Sequence, residues 1–367
     1  MTRISPFGAT GQNGRVPPSL RSIPVANAFV GVRRSLGARP RDTYVSPQFR
    51  DGEFHNSRPM RVVEAGSRGS MAREFATKGA VGKPSGPVPL VTPSWPAEAS
   101  DCAATWLGHS TVLLEVGGRR ILTDPVWSDR VSPSATVGPR RSHPVPVALE
   151  DLPPIDAVLI SHDHYDHLDT ATVDVLTRTQ TMPYVVPLGV GAHLRRWGVP
   201  RDRVVELDWG QSVDLDGLVL TCTEARHFSG RLFAPNPTLW SAWSVASNGR
   251  RAFFGGDSGW TEAFAEVGRR EGPFDLTVLP VGAYDTRWPD VHMDPEEAVR
   301  THLELRGDVL VPIHWGTFDL AFHPWAEPAE RTRAAAEEHG VRLAQPRPGE
   351  RFEASGELPT GAWWTGL

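Results

Sequence analysis

The stretch Ile155–His167 reads IDAVLISHDHYDH, and the rest of the chain is organised around it. Ala157, Val158, Leu159 and Ile160 form a short apolar run with branched side chains, preceded by Pro153-Pro154, which predicts a buried strand. His162, His164, Asp166 and His167 follow where that strand ends. Alternation along an extended backbone sends His162, His164 and Asp166 to one side, and a turn brings His167 round. Three imidazoles and a carboxylate are a donor set that zinc prefers. The plain alternative is a polar loop of solvated histidines, which would repel one another once protonated.

Upstream, Thr105–His109, Thr111–Val116 and Arg120–Thr123 read as successive strands, with Gly117-Gly118 as a two-residue hairpin turn. Asp124-Pro125 ends that ladder, because proline has no N–H to donate, and Trp127–Pro146 is a loop. Downstream, Leu168–Thr179 and Gly191–Trp197 have helical spacing, and Tyr184–Pro187, Val204-Val205, Gln211–Leu215 and Leu218–Glu224 read as strands. Trp240–Ala246 and Arg251–Phe254 form a pair around Asn248-Gly249, followed by strands at Leu276–Val281 and Val309–Ile313. Asp294-Pro295-Glu296-Glu297 is a strong helix start. Ala326–His339 reads as the last long helix and Val341–Ala344 as a closing strand.

Three more groups stand just past predicted strands: His227 in ARHFSGR, Asp257 in GGDSG and His314 in PIHWG. The glycines around Asp257 let the backbone approach a neighbour closely, although a turn aspartate bonding its own backbone fits that segment too. Seven donors at strand ends exceed what one tetrahedral zinc uses, so two metals sharing a carboxylate are the economical reading. His162, His164 and His227 are assigned to one ion, and Asp166, His167 and His314 to the other, with Asp257 as the bridge. Two Zn2+ are the default, with Mn2+ or Fe2+ compatible with the same donors.

The chain has 367 residues and a formal net charge of −5, which implies no polyanionic partner. Its basic residues are scattered arginines, with no basic stripe interleaved with aromatics, so nucleic acid is excluded as a partner. Two cysteines, Cys102 and Cys222, make no metal-binding pair and no disulfide framework, so they read as core thiols in a reducing compartment. No run approaches the ~18 apolar residues of a membrane span, and the N-terminus lacks an apolar signal core. A cytoplasmic location is expected, with peripheral membrane contact by Val25, Phe29 and Val30 beside Arg33 and Arg34 as a further expectation. Residues 1–100 read as an N-terminal extension with a proline-rich strap at 82–100, residues 101–350 as the catalytic domain and 351–367 as a tail. His109 is expected to bond behind the ligands, and His143 and His323 to lie at the surface or rim. Arg140 and Arg141 could grip a phosphate or belong to a solvated loop. Thirteen tryptophans fit either an apolar groove or a thick core.

From Thr105 to Ala344 the pattern resembles the metallo-β-lactamase superfamily, and aspartate at position 257 resembles its glyoxalase II and phosphodiesterase branches. Within it, several stretches are similar to the N-acylphosphatidylethanolamine-hydrolysing phospholipase D family. They are WLGHST at Trp106–Thr111, LTDPVWSDRVSPS at Leu122–Ser134, GPRR at Gly138–Arg141, LPPIDAVLISHDHYDHLD at Leu152–Asp169, HMDPEEAV at His292–Val299 and PIHWGTF at Pro312–Phe318. The resemblance implies an α/β fold, an αββα sandwich with two zinc ions at its edge. It also implies that Tyr165 and His292 meet the substrate head group or phosphate and that Asp166 doubles as a proton carrier, with His292 acting in catalysis. Tyr165 as a packed ring and His292 as a helix cap are the plainer readings.

The expected activity is hydrolysis of a phosphodiester in a phospholipid, with the cations activating water for in-line attack on phosphorus. A lactone, thioester or amide hydrolase of the same superfamily is the first alternative. A nonenzymatic metal-binding protein is the second.

Overall fold

The computed structural model describes residues 44–61, 68–231 and 235–367. The expected membrane contact at residues 25–34 lies outside them. A small hairpin, β1 (Phe49–Arg50) and β2 (Glu53–Phe54), opens the described chain, followed by helix α1 (Arg68–Thr77). Strands β3 (Cys102–Gly108), β4 (Thr111–Val116), β5 (Arg119–Thr123), β6 (Ala157–Leu159), β7 (Tyr184–Pro187) and β8 (Val204–Leu207) then build one sheet. The second sheet holds β9 (Ser212–Leu215), β10 (Leu218–Thr223), β11 (Ala242–Ser247), β12 (Arg250–Phe254), β13 (Phe274–Pro280), β14 (Gly307–Ile313) and β15 (Arg342–Leu343). Strand β16 (Arg351–Glu353) returns to the first sheet beside β3.

Each sheet is antiparallel at one end and parallel at the other: β5 through β8 run parallel, as do β12 through β15. Parallel strands need crossovers, and α-helices supply them except between β5 and β6, where the loop 124–156 carries only a short 3-10 turn at Leu149–Asp151. Helices α2 (Thr170–Thr179) and α3 (Val190–Trp197) cover the first sheet, with Val173, Leu176, Leu194 and Trp197 packed against Leu113, Val158 and Val186. Helices α4 (Ala263–Arg270), α5 (Pro295–Glu304) and α6 (Glu327–His339) serve the second sheet, where Phe264, Val299 and Ala336 join Leu276, Val309 and Val311. The result is the αββα sandwich, with α5 capped reciprocally by Asp294 and Glu297 as its opening residues predict.

The turn between β4 and β5 needs positive φ at both central residues to match the twist of the strands; Gly117 has φ 55° and Gly118 φ 79°. A side chain at Gly117 would also meet the Ser247 carbonyl of the opposite sheet at 2.2 Å, so glycine lets the two sheets close there. Cys102 and Cys222 are buried free thiols, and burial pushes Cys102 up to about 12. Many of the tryptophans fill the core, with Trp106, Trp240, Trp243, Trp315 and Trp364 buried to 2% exposure or less, while Trp95, Trp127, Trp209, Trp260, Trp288 and Trp363 are half-buried. Helix α4 escaped the sequence pattern because it is short, lacks a capping side chain and holds Gly268 inside it.

The segment expected to be a tail, 351–367, is part of the fold. Arg351 pairs with Glu115 at 2.7 Å, and the buried Glu115 also accepts from Arg120, so β16 completes the ion pairs of β4 and β5. Trp363 stacks on Trp315, with ring centroids 5.2 Å apart, and Trp364 meets Trp315 edge-on at 5.6 Å. The strap at 82–100 lies along the same sheet, with Trp95 bonded to Thr105 and the Pro96 carbonyl to Arg120. Replacing a fully buried tryptophan with alanine costs ~3–5 kcal/mol. We therefore expect Trp364→Ala to lower unfolding free energy by that amount in urea melts. A change within ~0.5 kcal/mol, the scale of surface substitutions, would show the segment to be peripheral.

Candidate metal centre

Five strand ends converge on one edge of the sandwich. His109 follows β3, Asp124 follows β5, His162 to His167 follow β6, Asp257 follows β12 and His314 follows β14. His227 stands just beyond β10. The two sheets are tied together here, since Ser241 donates to the Ser161 carbonyl at 2.9 Å and the Trp243 indole donates to the Ile160 carbonyl at 3.1 Å. Gly256 has φ 55°, and a Cβ there would lie 2.5 Å from that of Ser161. The glycine beside Asp257 thus permits the close approach expected of it.

His162 Nε2 lies 2.7 Å and His227 Nε2 3.3 Å from His164 Nδ1. On the other side, Asp166 Oδ2 lies 3.3 Å from His167 Nε2 and 3.5 Å from His314 Nε2. Asp257 Oδ2 stands between, 3.1 Å from both His167 Nε2 and His314 Nε2 and 3.8 Å from His227 Nε2. All seven residues expected as ligands are brought together, with His162, His164 and His227 in one group, Asp166, His167 and His314 in another, and Asp257 between them.

Hydrogen-bond partners decide which nitrogen each ring offers. Asp124 accepts from the Ser161 backbone at 2.7 Å, the Ser161 hydroxyl at 2.6 Å and His167 Nδ1 at 2.7 Å. With the Ser161 proton directed at Asp124, its oxygen accepts from His162 Nδ1 at 2.9 Å. His227 Nδ1 donates to the Val291 carbonyl at 3.0 Å. His162, His167 and His227 each therefore turn Nε2 toward the centre. Several buried atoms there have no hydrogen-bond partner among the described residues: His167 Nε2, Asp257 Oδ1, His292 Nδ1 and both ring nitrogens of His314. Buried polar atoms without partners call for an explanation such as a bound ion. In a tetrahedral site with Zn–N near 2.0–2.1 Å the donors stand ~3.3 Å apart, close to the spacings here, so the residues fit divalent cations.

Charge in the protein itself follows the same pattern. Burial pushes the Asp257 carboxyl up, but His167, His314 and His292 more than offset it and hold it well below the usual carboxylate range. Burial also pushes Asp166 up, and the neighbouring His167, His109 and His314 reverse this. Burial lowers His167 and His314, yet Asp257 and Asp166 raise both, His314 to about 9. Burial and neighbouring imidazoles lower His162 and His227 well below the ordinary histidine value.

The remaining expectations divide. His109 does bond behind the ligands: its Nε2 meets Asp166 Oδ2 at 2.9 Å, its ring lies 4.1 Å from that of His314, and its carbonyl accepts from the His314 amide at 3.1 Å. His292 lies over Asp257, Nδ1 3.8 Å from Oδ2, and the cap of α5 is Asp294 instead. Tyr165 places its ring 3.9 Å under the Arg231 guanidinium and buries its hydroxyl, so what it leaves partly open is not the hydroxyl. His143 is not a rim group: it is buried, bonded to Thr317 and to the Pro144 carbonyl. His323 is half-buried and accepts from the Ala283 amide. Arg141 neither grips a phosphate nor lies in a solvated loop, because it is buried and donates to the Val126 and Ser128 carbonyls. Arg140 is exposed beside Asp129.

Sequence reading missed Asp124, Ser161, Asp163 and Arg231. Asp163 is fully buried, accepting from the Gly230 amide and from His193. One Arg231 nitrogen donates to the Asp163 and Leu168 carbonyls at 2.8 and 2.9 Å, closing the ligand loop at both ends. For Asp124 a signal existed: like the other donors, it is an aspartate just past a strand legible in the sequence, Arg120–Thr123. The opening is formed by His164, Asp166, His292 and the exposed Phe228, whose ring centroid lies 4.7 Å from those of both His164 and His227.

A sandwich with this cluster at its edge is the architecture of a metal-dependent hydrolase. Residues 119–315 match the family model described as a β-lactamase superfamily domain, more than half of the chain, and the protein belongs to that superfamily. It is 53% identical over 325 residues to an uncharacterized protein of Mycobacterium tuberculosis, covering 87% of each chain. It is 42% identical over 229 residues to N-acyl-phosphatidylethanolamine-hydrolyzing phospholipase D 1 of Caenorhabditis elegans, covering 59% of this chain and 64% of that relative. Among solved structures, the metallo hydrolase Igni18 of Ignicoccus hospitalis shares the fold with a TM-score of 0.53 at 24% identity, over 69% of this chain and 98% of its own. No helix of the described residues is long and apolar enough to cross a membrane.

Two predictions follow from the geometry. Replacing the shared carboxylate by Asp257→Asn should lower metal content from two equivalents toward one and cut turnover by at least ~100-fold, the upper end for disturbing a metal's surroundings; unchanged content and rate would overturn the shared role. Because His314 holds its proton up to about 9, cations compete with protons for its ring. Metal affinity should therefore rise from pH 6 to 9, and binding should release protons, seen calorimetrically as heats that differ between buffers. Equal heats in all buffers would contradict the assignment.

Proposed function

We propose that this hydrolase cleaves phosphodiesters, and that its substrates are N-acylphosphatidylethanolamine-like phospholipids cut in the manner of a phospholipase D. The observation that carries this reading is the Asp257 carboxylate between two imidazole-rich groups, the arrangement suited to holding two cations against one phosphoryl group. The likeness to the nematode relative, 42% identical over 229 residues, supports the lipid substrate. His162, His164 and His227 would hold one cation and Asp166, His167 and His314 the other, zinc being the default for such donors. Bound there, they would supply an activated water and neutralise charge on the phosphoryl and leaving oxygens.

The chain's own groups do the rest. Asp166 is 15% exposed at the opening and is steadied by His109 at Oδ2, so it is placed to take the proton lost by the attacking water and pass it to the leaving oxygen. His292 is pushed to about 3 by burial, so it stays neutral near pH 7 and offers a ring N–H to a phosphoryl oxygen. Phe228 gives the opening an apolar lip, which favours a substrate with an acyl chain at the lip over a small soluble ester. Water adds across the P–O bond on the head-group side, releasing phosphatidic acid and an N-acylethanolamine.

The test is metal content together with turnover of a panel: bis(p-nitrophenyl) phosphate, N-acylphosphatidylethanolamine in micelles, and a set of lactones and thioesters. About two metals per chain with cleavage of the lipid is the expected result. Turnover confined to lactones or thioesters would keep the metal centre and overturn the substrate. A metal load without turnover on any member would leave a binding protein.

A further inference from the structure

We propose that Asn56, in the N-terminal segment outside the matched domain, is a positioning residue for His227 and through it for the His162–His164–His227 half of the metal centre. This role rests on the reading of those three residues as ligands. His227 lies beyond the end of β10, where the ladder with β11 has stopped, so neighbouring strands no longer satisfy its backbone. Asn56 does. Its Nδ2 donates to the His227 carbonyl at 2.8 Å, and its Oδ1 accepts from the His227 amide at 3.2 Å. One side-chain amide therefore makes both bonds that an adjacent strand would make, and the pairing fixes which end of the amide is oxygen. The same Oδ1 accepts from the Trp240 indole at 3.1 Å, and that indole also bonds the Ala225 carbonyl at 3.0 Å.

The segment bearing Asn56 is itself anchored, so the clamp does not swing. Phe54 is fully buried and its amide bonds the Asn236 carbonyl at 3.0 Å. Arg61 donates to Asp290 from its backbone at 2.7 Å and its guanidinium at 3.1 Å, and Arg226 reaches the same carboxylate at 3.0 Å and the Pro59 carbonyl at 2.7 Å. Asp290 precedes Val291, whose carbonyl fixes the His227 ring through Nδ1. Backbone and ring of one ligand are thus set by residues 54–61 and 290–291 together. The chemistry needs asparagine here: aspartate would keep both acceptor bonds and lose the donor to the His227 carbonyl, and alanine would lose all three.

The test is competition of full-length wild type, Asn56→Ala, Asn56→Asp and Arg58→Ala against a chromophoric chelator for Zn2+, repeated with Co2+ read by its visible absorption. Loss of an outer partner of a ligand weakens metal binding by ~10–100-fold. We expect Asn56→Ala to weaken one equivalent by that factor with the other within twofold of wild type. Asn56→Asp should weaken the same equivalent less and alter the Co2+ spectrum of that site alone. Arg58, exposed and paired with Glu262 in the same segment, should leave both equivalents unchanged on substitution. Both equivalents unchanged in Asn56→Ala and Asn56→Asp, or both weakened alike, overturns the role. A wild-type chain that takes up fewer than two equivalents overturns the metal reading, and this role with it.

Discussion

Four imidazole nitrogens lie within 3.8 Å of a single buried oxygen, Asp257 Oδ2. Nearly everything at this edge of the sandwich exists to hold that arrangement. A buried charge without a partner costs several kcal/mol, and rings crowded around one carboxylate cannot all be protonated without repelling. The surroundings push these rings apart, holding His162, His227 and His292 below the ordinary histidine value and raising His167 and His314 above it. Divalent cations resolve the repulsion better, because each replaces a proton and satisfies several nitrogens at once. The centre is therefore preorganised: its donors are placed by strands rather than gathered by the metal.

The preorganisation has a visible backbone cost. His109, Asp124 and His314 all have positive φ, 54°, 34° and 62°, a region that non-glycine residues rarely enter. Such conformations persist only where surrounding contacts overdetermine them. Here the contacts can be named: the His314 amide bonds the His109 carbonyl, the His109 amide bonds Thr317, and Asp124 is held by Ser161 and His167. Each sharp turn lets a chain leaving its strand double back toward the centre instead of running out into solvent.

The donors were legible in the sequence because each is a histidine or aspartate at the end of an apolar run, and strand ends at a sheet edge converge by construction. Strand pairing within Thr111–Thr123 was equally legible, since Gly117-Gly118 leaves one possible turn. What could not be read were contacts between distant parts of the chain. Asn56 meets His227 across 171 positions and Arg351 meets Glu115 across 236, and neither spacing has a period to detect. Residues 351–353 look like a tail because one short strand carries too few side chains to show alternation. His143 looked like a rim residue because nothing local announces that Thr317 will lie over it. The pattern of a sequence reports the face a residue belongs to, and the partner across the fold comes only from the topology.

The two halves of the centre are held by different means, and this bears on how they work together. On the first side, His162 and His227 each have an outer partner, Ser161 and the Val291 carbonyl, and the loop between the two halves is closed by Arg231. On the second, His167 is tied to Asp124 and Asp166 to His109, while His314 is oriented by its backbone and by the ring of His109. Asp166, the most open of these carboxylates, also belongs to this side. A partly exposed carboxylate can change its proton and its contacts at small cost. The partly exposed Asp166 makes the second half the place where protons and contacts can change, beside a first half whose His162 and His227 are each held by a buried partner.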